Sequence, residues 1–335
     1  MKIRTRTNPR LNFIDPPFSA GKQALLSKGQ VRNSQAKDVI LSEEYKRKFL
    51  AALHAVGIPD GSTVKCAVLL PYEWAEQKAP LVKSALSGEH HIVDDENDIT
   101  FLADIQVTAQ GTSAAINQAI DWNGKLVNPG LLKHSLWIDI GENTTDGIEI
   151  VDGQPSNRSF SMPRLGIFDA VEKICSGLLD RNIDCTIQQV NDAIQKGELH
   201  LDGKDIPLFK KGRDAHLSDL SRQIASQIGS SLGEDLKTID DRILTGGGGS
   251  VLEDYLPGFL PRCRLSDDAL FDNAHGALKQ LMFLGKPRPG VEQVSIDLGY
   301  GTVEVCRLIN SNEILETVFQ SIVGEYIKRK KISWD

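Results

Sequence analysis

Asp139 and Asp297 are the residues best placed to do chemistry. Each lies at the end of an apolar run and opens a turn of small and polar residues: Asp139-Ile140-Gly141-Glu142-Asn143-Thr144-Thr145-Asp146 and Asp297-Leu298-Gly299-Tyr300-Gly301-Thr302. A carboxylate at a strand end can hold a metal-bound water. The turn beyond it can bring backbone N–H groups close to an anion, as phosphate-binding nests do. A third stretch, Thr245-Gly246-Gly247-Gly248-Gly249-Ser250, sets four glycines between a short apolar strand and a helix. Glycine runs cost conformational entropy. Here they let backbone approach something flat or anionic, at a helix N-terminus that favours negative charge. Gln110 sits at a strand-to-helix junction. Taken alone it reads as a surface residue, and a glutamine cannot be a strong base.

These side chains need elements to hold them. Leu136, Trp137, Ile138 and Ile140 predict a buried strand, Ile148-Glu149-Ile150 its return, and Asn157 to Met162 a third strand. Val294 to Val305 repeats the hairpin, and Ile314 to Val323 supplies its third strand. The chain thus holds two copies of strand, DxG turn, strand, turn, strand, at 136–161 and 294–323. Val64 to Leu70, ended by Pro71, reads as another buried strand. Strands are expected at 90–92 and 98–107. Ser42 caps a helix that Gly57 closes. Further helices are expected at 74–86, interrupted or kinked by Pro80, and at 112–120, 166–179, 187–195, 213–239 and 268–284.

At 335 residues the chain exceeds what one core usually serves, so two lobes are expected. With 40% hydrophobic and 25% charged residues, it has the composition of a soluble globular protein. No apolar run approaches the roughly 20 residues of a membrane span, and the N-terminus lacks the apolar stretch of a secretory signal. A net charge of −7 argues against wholesale coating of nucleic acid. The five cysteines are scattered without a CxxC pair, which fits buried small hydrophobes in a reducing cytoplasm. Residues 1–35 read as a basic, loosely ordered arm and 328–335 as a basic tail. Such segments are either solvated or contact DNA, an acidic partner or an anionic surface.

Two DxG hairpins and a glycine turn opening a helix are the parts of the actin-like ATPase fold. The chain resembles the bacterial plasmid-segregation actins of the ParM/StbA kind. IDIGENTTDG resembles their second phosphate motif, ILTGGGGSVL their adenosine motif, FDNAHGALKQL their Asn-Ala-x-Gly helix and AVLLPYEW their strand ending in Pro. The first phosphate motif is N-terminal in that family. Here its counterpart, IDLGYGTVEV, stands near the C-terminus, and ETVFQSIVGE resembles the strand that follows it. The resemblance therefore implies an α/β, actin-like (ribonuclease H-like) two-lobed ATPase fold, with mixed sheets flanked by helices, as a circular permutant. Lobe I would comprise 36–130 plus 286–327, and lobe II 131–285.

The same resemblance implies ATP and Mg²⁺ as cofactors. Gly299, Tyr300, Gly301 and Thr302 would grip phosphate from one lobe, and Gly141, Asn143, Thr144 and Thr145 from the other. Asp139 and Asp297 would hold waters around Mg²⁺, which is hard and favours carboxylates. Thr245, Gly246, Gly247, Gly248 and Gly249 would lie against the adenosine. Gln110 would orient the attacking water, and such positioning is most of what phosphoryl transfer asks of a protein. Segregation actins usually carry Lys at the place of Glu304, so a charge-assisted phosphate contact is lost. Glu142 adds further negative charge, and slow turnover is expected. The implied function is a cytoplasmic ATPase that self-associates into filaments for plasmid segregation or cargo positioning, with a DNA-bound adaptor as partner. A small-molecule kinase of the same fold and a non-hydrolysing nucleotide-dependent scaffold are the alternatives.

Overall fold

The computed structural model describes residues 1–7, 9, 11–14, 18–20, 31–32, 42–284, 289–321 and 323–324. The strands are β1 (Lys2–Thr5), β2 (Asn12–Phe13), β3 (Phe18–Ala20), β4 (Val31–Arg32), β5 (Ser62–Leu70), β6 (Gly88–Val93), β7 (Asp98–Ala109), β8 (His134–Ile140), β9 (Thr144–Val151), β10 (Gln154–Pro155), β11 (Phe160–Pro163), β12 (His200–Leu201), β13 (Lys204–Asp205), β14 (Asp241–Thr245), β15 (Cys263–Leu265), β16 (Val291–Leu298), β17 (Thr302–Asn310), β18 (Glu313–Gln320) and β19 (Val323–Gly324). The helices are α1 (Glu43–Ala55), α2 (Tyr72–Leu86), α3 (Thr112–Ala119), α4 (Pro129–Lys133), α5 (Ile167–Leu179), α6 (Ile187–Ile194), α7 (Pro207–Leu232), α8 (Gly247–Leu252) and α9 (Asp272–Leu284). The chain forms two compact units, residues 1–70, 74–108 and 277–335, and residues 71–73 with 109–276.

The first unit is built on a sheet ordered β1-β18-β17-β16-β5-β7-β6. β16, β17 and β18 make an antiparallel meander, and β16 runs parallel to β5 from Val291 opposite Thr63 to Asp297 opposite Leu69. Val294, Ile296, Val303 and Val305 share one apolar core with Phe49, Leu50 and Leu53 of α1 and with Val82 and Leu86 of α2. By strand alternation Ser295, Asp297 and Glu304 point to the other face. Ser42 caps α1 as its position predicts, its hydroxyl accepting the Tyr45 N–H at 3.2 Å.

Residues 2–5 depart from the loosely ordered arm read in the sequence. They form β1, parallel to β18, with Lys2 opposite Glu313. The edge of β18 offers unpaired backbone groups. The charges match as well, since Arg4 Nη1 lies 2.9 Å from Glu313 Oε1 and the Thr5 hydroxyl donates to Glu316 Oε1 at 2.8 Å. Most of the remaining arm, and the basic tail at 328–335, lie outside the described residues.

The second unit holds a sheet ordered β10-β9-β8-β14-β15, with β11 also on β9. β8 is antiparallel to β9 and parallel to β14. Leu136, Ile138 and Ile140 enter a core with α5 and α7. Trp137 faces the other way, among Ile148, Ile150, Ile243 and the alanines 114, 115 and 119 of α3. Burial on both faces explains why β8 reads as an almost unbroken apolar run. Those alanines also explain why α3 belongs to this unit, although a boundary at 130 was expected.

Other differences are local. α2 runs through Pro80 as one helix. α7 starts at Pro207 rather than 213, because proline suits a first helical position, and stops at Gly233, where φ is +55°. Residues 233–238 continue as a 3-10 helix. α9 starts at Asp272 rather than 268. All five cysteines are free, four of them buried and Cys263 half-buried. Among the described residues no helix is long and apolar enough to cross a membrane.

Both units use one strand pattern: a three-stranded antiparallel meander whose first strand lies parallel to a further strand. In the second unit the meander (β8, β9, β11) precedes its parallel neighbour β14. In the first it (β16, β17, β18) follows its neighbour β5 at the far end of the chain.

Candidate functional site

The tips of both DxG hairpins are tied off in the same manner. In the second unit the carbonyls of Gly141, Glu142 and Asn143 accept the N–H groups of Ile167, Phe168 and Arg164 at 3.2, 2.8 and 3.0 Å. Gly166 makes this fit possible, since a Cβ there would lie 2.2 Å from the Glu142 carbonyl oxygen. In the first unit Ser321 makes both ties. Its hydroxyl donates to the Gly299 carbonyl at 2.6 Å and its N–H to the Gly301 carbonyl at 2.9 Å. A trans peptide sets each C=O opposite the following N–H. Pinning these carbonyls therefore turns the N–H groups of Glu142, Asn143 and Thr144, and of Tyr300 and Thr302, away from the pinning segments. An edge that presents successive amides suits an anion.

The expected phosphate residues divide under this geometry. Asn143 and Thr144, like Gly299, Tyr300, Gly301 and Thr302, are half-buried at the tips. Gly141 spends its N–H on the Thr144 carbonyl at 2.9 Å. Thr145 is fully buried, and its hydroxyl donates to the Leu165 carbonyl at 2.5 Å. These two residues shape the tip rather than present donors from it. Glu142 turns its carboxylate to Asn191, whose Nδ2 donates at 3.2 Å.

The glycine run separates in a similar way. Gly246 has φ +77° and ψ 166°, and a Cβ there would lie 2.4 Å from Asp139 Oδ1. At Gly248 a Cβ would meet Ile140 Cγ2 at 2.5 Å and Ile167 Cγ1 at 2.8 Å. Both glycines let α8 sit against the end of β8. Gly247 and Gly249 are less confined, with nearest neighbours 3.7 and 3.4 Å from such a Cβ. Thr245 is fully buried, its hydroxyl 2.9 Å from Asp272 Oδ2 and 3.2 Å from the Ala269 carbonyl, so it is a strut behind the turn.

Gln110 follows the last residue of β7 and is half-buried. Gly111 behind it has φ +71° and caps α3, packed so that a Cβ would lie 2.4 Å from Ile148 Cγ1. That contact joins the Gln110 turn to the returning strand of the Asp139 hairpin.

Each hairpin also sets two acids directly across from each other, Asp139 opposite Asp146 and Asp297 opposite Glu304. Burial pushes the Asp139 carboxyl up to about 6; a hydrogen bond from Asn273 opposes this and the charge of Asp272 adds to it. Burial likewise raises Asp146 to about 7, against a hydrogen bond from Ser161, with the charges of Asp139 and Glu73 contributing. Buried carboxylate oxygens that repel one another are hard donors, and they fit a cation such as Mg²⁺ that keeps its waters. Sequence reasoning missed Asp146, Ser321, Arg164 and the Asp272-Asn273 pair. Only the last left a signal, the FDNAHG motif, which carried no assigned role.

Known proteins share the fold that carries these hairpins. The family model for the archaeal actin homologue MreB-like, C-terminal, matches residues 137–258. No curated protein matches the chain. Ta0583, an archaeal actin homolog, is similar in structure with a TM-score of 0.63 at 20% identity, covering 75% of this chain and 80% of that one. Its complex with ADP gives 0.61 at 21% identity, covering 75% and 81%. The ParM subunit of a 15-stranded filament from Clostridium botulinum gives 0.63 at 22% identity, covering 73% and 75%. The chain has an actin-like fold.

Proposed function

We propose that this chain is an ATPase of the actin-like fold that binds ATP with Mg²⁺ and assembles into filaments, serving plasmid segregation or the positioning of another cargo in the cytoplasm. The observation that carries the reading is the pair of DxG hairpins with their tip carbonyls tied back, which turns the following amides away from the segments that tie them. An archaeal actin homolog of this fold was solved with ADP, and a ParM of this fold as a filament. Bound Mg²⁺ would neutralise charge on the phosphates. Asp139 and Asp297 would hold its waters, the tip amides would bind the phosphate oxygens, and Gly247, the half-buried glycine that opens α8, would face the adenosine. Gln110 would orient the attacking water. The late position of the β16–β18 meander supports a circular permutation relative to the plasmid-segregation actins. A DNA-bound adaptor would link filament to cargo.

The acid pairs favour a second reading, a nucleotide-dependent scaffold that assembles without turnover, since Glu304 and Asp146 set acids, rather than a cation, beside the phosphate turns. Phosphate release and light scattering, read together with ATP, ADP and a non-hydrolysable analogue, separate the two. Scattering that rises with ATP and decays as phosphate appears supports the ATPase. Stable assembly without phosphate release supports the scaffold. ATP consumption only with an added acceptor would mean a small-molecule kinase, and no response to nucleotide would refute all three. Filaments seen by negative-stain microscopy with ATP complete the test.

A further inference from the structure

Asn273 joins two of the residues assigned above. Its Nδ2 donates to Asp139 Oδ2 at 2.7 Å, and its Oδ1 accepts the Gly111 N–H at 2.8 Å. The chemistry fixes which way the amide faces. A backbone N–H can only donate, so the atom toward Gly111 is oxygen and the NH₂ faces the carboxylate. The side chain is 5% exposed, so water offers it little competition.

Its backbone has little freedom either. The adjacent Asp272 accepts from Asn117 Nδ2 at 2.8 Å and Gln118 Nε2 at 2.7 Å, both on α3, and from Thr245 at the end of β14. One turn further on, α9 touches α3 so closely that a Cβ on Gly276 would lie 1.7 Å from the Ser113 carbonyl oxygen. The two bonds of Asn273 are therefore a rigid tie between the Asp139 carboxylate and the turn that carries Gln110.

We infer that Asn273 is a positioning residue for hydrolysis: one amide holds the carboxylate of Asp139 and the Gln110 turn in register. The inference rests on the ATPase reading above. Asn273 acts through its two partners and needs no contact with the nucleotide. Asn273→Ala removes both bonds. Asn273→Asp keeps the shape and the acceptor for Gly111, but sets a second carboxylate against Asp139.

Both variants are tested with steady-state ATP hydrolysis across a Mg²⁺ titration, ATP affinity from a fluorescent nucleotide, and thermal unfolding. Asn273→Ala is expected to lower kcat roughly 10- to 100-fold, as loss of an orienting partner does elsewhere. ATP affinity should change by less than about threefold, the mark of an interaction made in the transition state. Asn273→Asp is expected to lower kcat by a similar factor and to shift the Mg²⁺ concentration for half-maximal rate roughly tenfold. A purely structural tie to Gly111 would leave Asn273→Asp with wild-type kcat and an unshifted Mg²⁺ curve, and that result overturns the inference. If Asn273→Ala does not fold, Asn273→Asp decides alone. A wild-type chain that neither binds nor hydrolyses ATP overturns the ATPase reading and the inference together. A hydrolysing wild type with two unaffected variants overturns the inference only.

Discussion

Neighbouring glycines in the 246–249 run should respond to alanine in opposite directions. At Gly246 the backbone occupies φ +77°, ψ 166°, a region essentially closed to other residues and costing about 1–3 kcal/mol. The new Cβ would also lie 2.4 Å from Asp139 Oδ1 and 2.6 Å from the Ile140 carbonyl oxygen, and overpacking of that kind costs about 1–3 kcal/mol more. Together these give about 2–6 kcal/mol, or a fall of roughly 5–20 °C in the melting temperature of a unit this size. Gly247 begins α8, and the nearest atom to its Cβ would be Leu270 Cδ1 at 3.7 Å. Gly247→Ala should therefore stabilise by about 0.4–1 kcal/mol, through the entropy of the unfolded chain. Differential scanning calorimetry without nucleotide measures both. Equal melting temperatures for the two variants would refute the assignment of Gly246 to packing, and a destabilised Gly247→Ala would refute the reading of Gly247 as unconfined. If Gly247→Ala melts normally yet loses ATP affinity, the exposed edge of the run faces the nucleotide.

Asp139→Ala should abolish ATP hydrolysis, measured as phosphate release, because it removes the carboxylate that Asn273 holds and that, on the proposed reading, would hold the waters of Mg²⁺. Gln110→Ala should slow hydrolysis while preserving ATP binding and prolonging filaments, seen as a slower decay of light scattering; hydrolysis at the wild-type rate would remove the role given to Gln110. Ser321→Ala should weaken ATP binding several-fold by freeing the Gly299 carbonyl, at a stability cost of about 1 kcal/mol, both read by nucleotide titration and urea unfolding. Asp146 gives a pH test. Its folded value of about 7 lies above the ordinary 3.8, so the folded state takes up a proton. This contribution is fully present below about pH 4 and is lost as pH rises through 7. Asp146→Asn can still accept from Ser161 and avoids the loss, so in urea unfolding with EDTA it should match wild type near pH 4 and exceed it at pH 8, by roughly 4 kcal/mol at the limit.

The strands that bear the site were legible because burial leaves a plain signature. β8 is apolar on successive residues since cores lie on both its faces. The DxG turns and the glycine run stood out because few other functions need such residues after a strand. What side chains did with their polar atoms was not legible. Thr145 and Thr245 looked like nucleotide contacts, yet both hydroxyls are buried against protein acceptors. Asn273 and Ser321 are single polar residues far in sequence from the atoms they hold, and local patterning carries no signal for such pairs. The strand at 2–5 was hidden for a related reason. Four exposed residues show no period of their own, and only the edge of β18 makes them a strand.

The strand order of the first unit also dictates an order of assembly. β5 closes its sheet against β16, so Thr63 waits for Val291, and β1 waits for β18. The second unit lies almost wholly within the unbroken stretch 109–276. As the chain leaves the ribosome, the second unit can fold before the first has its central pairing. Contacts so distant in sequence form slowly. Until residue 298 has emerged, β5 keeps an open edge, which can pair with any other strand within reach.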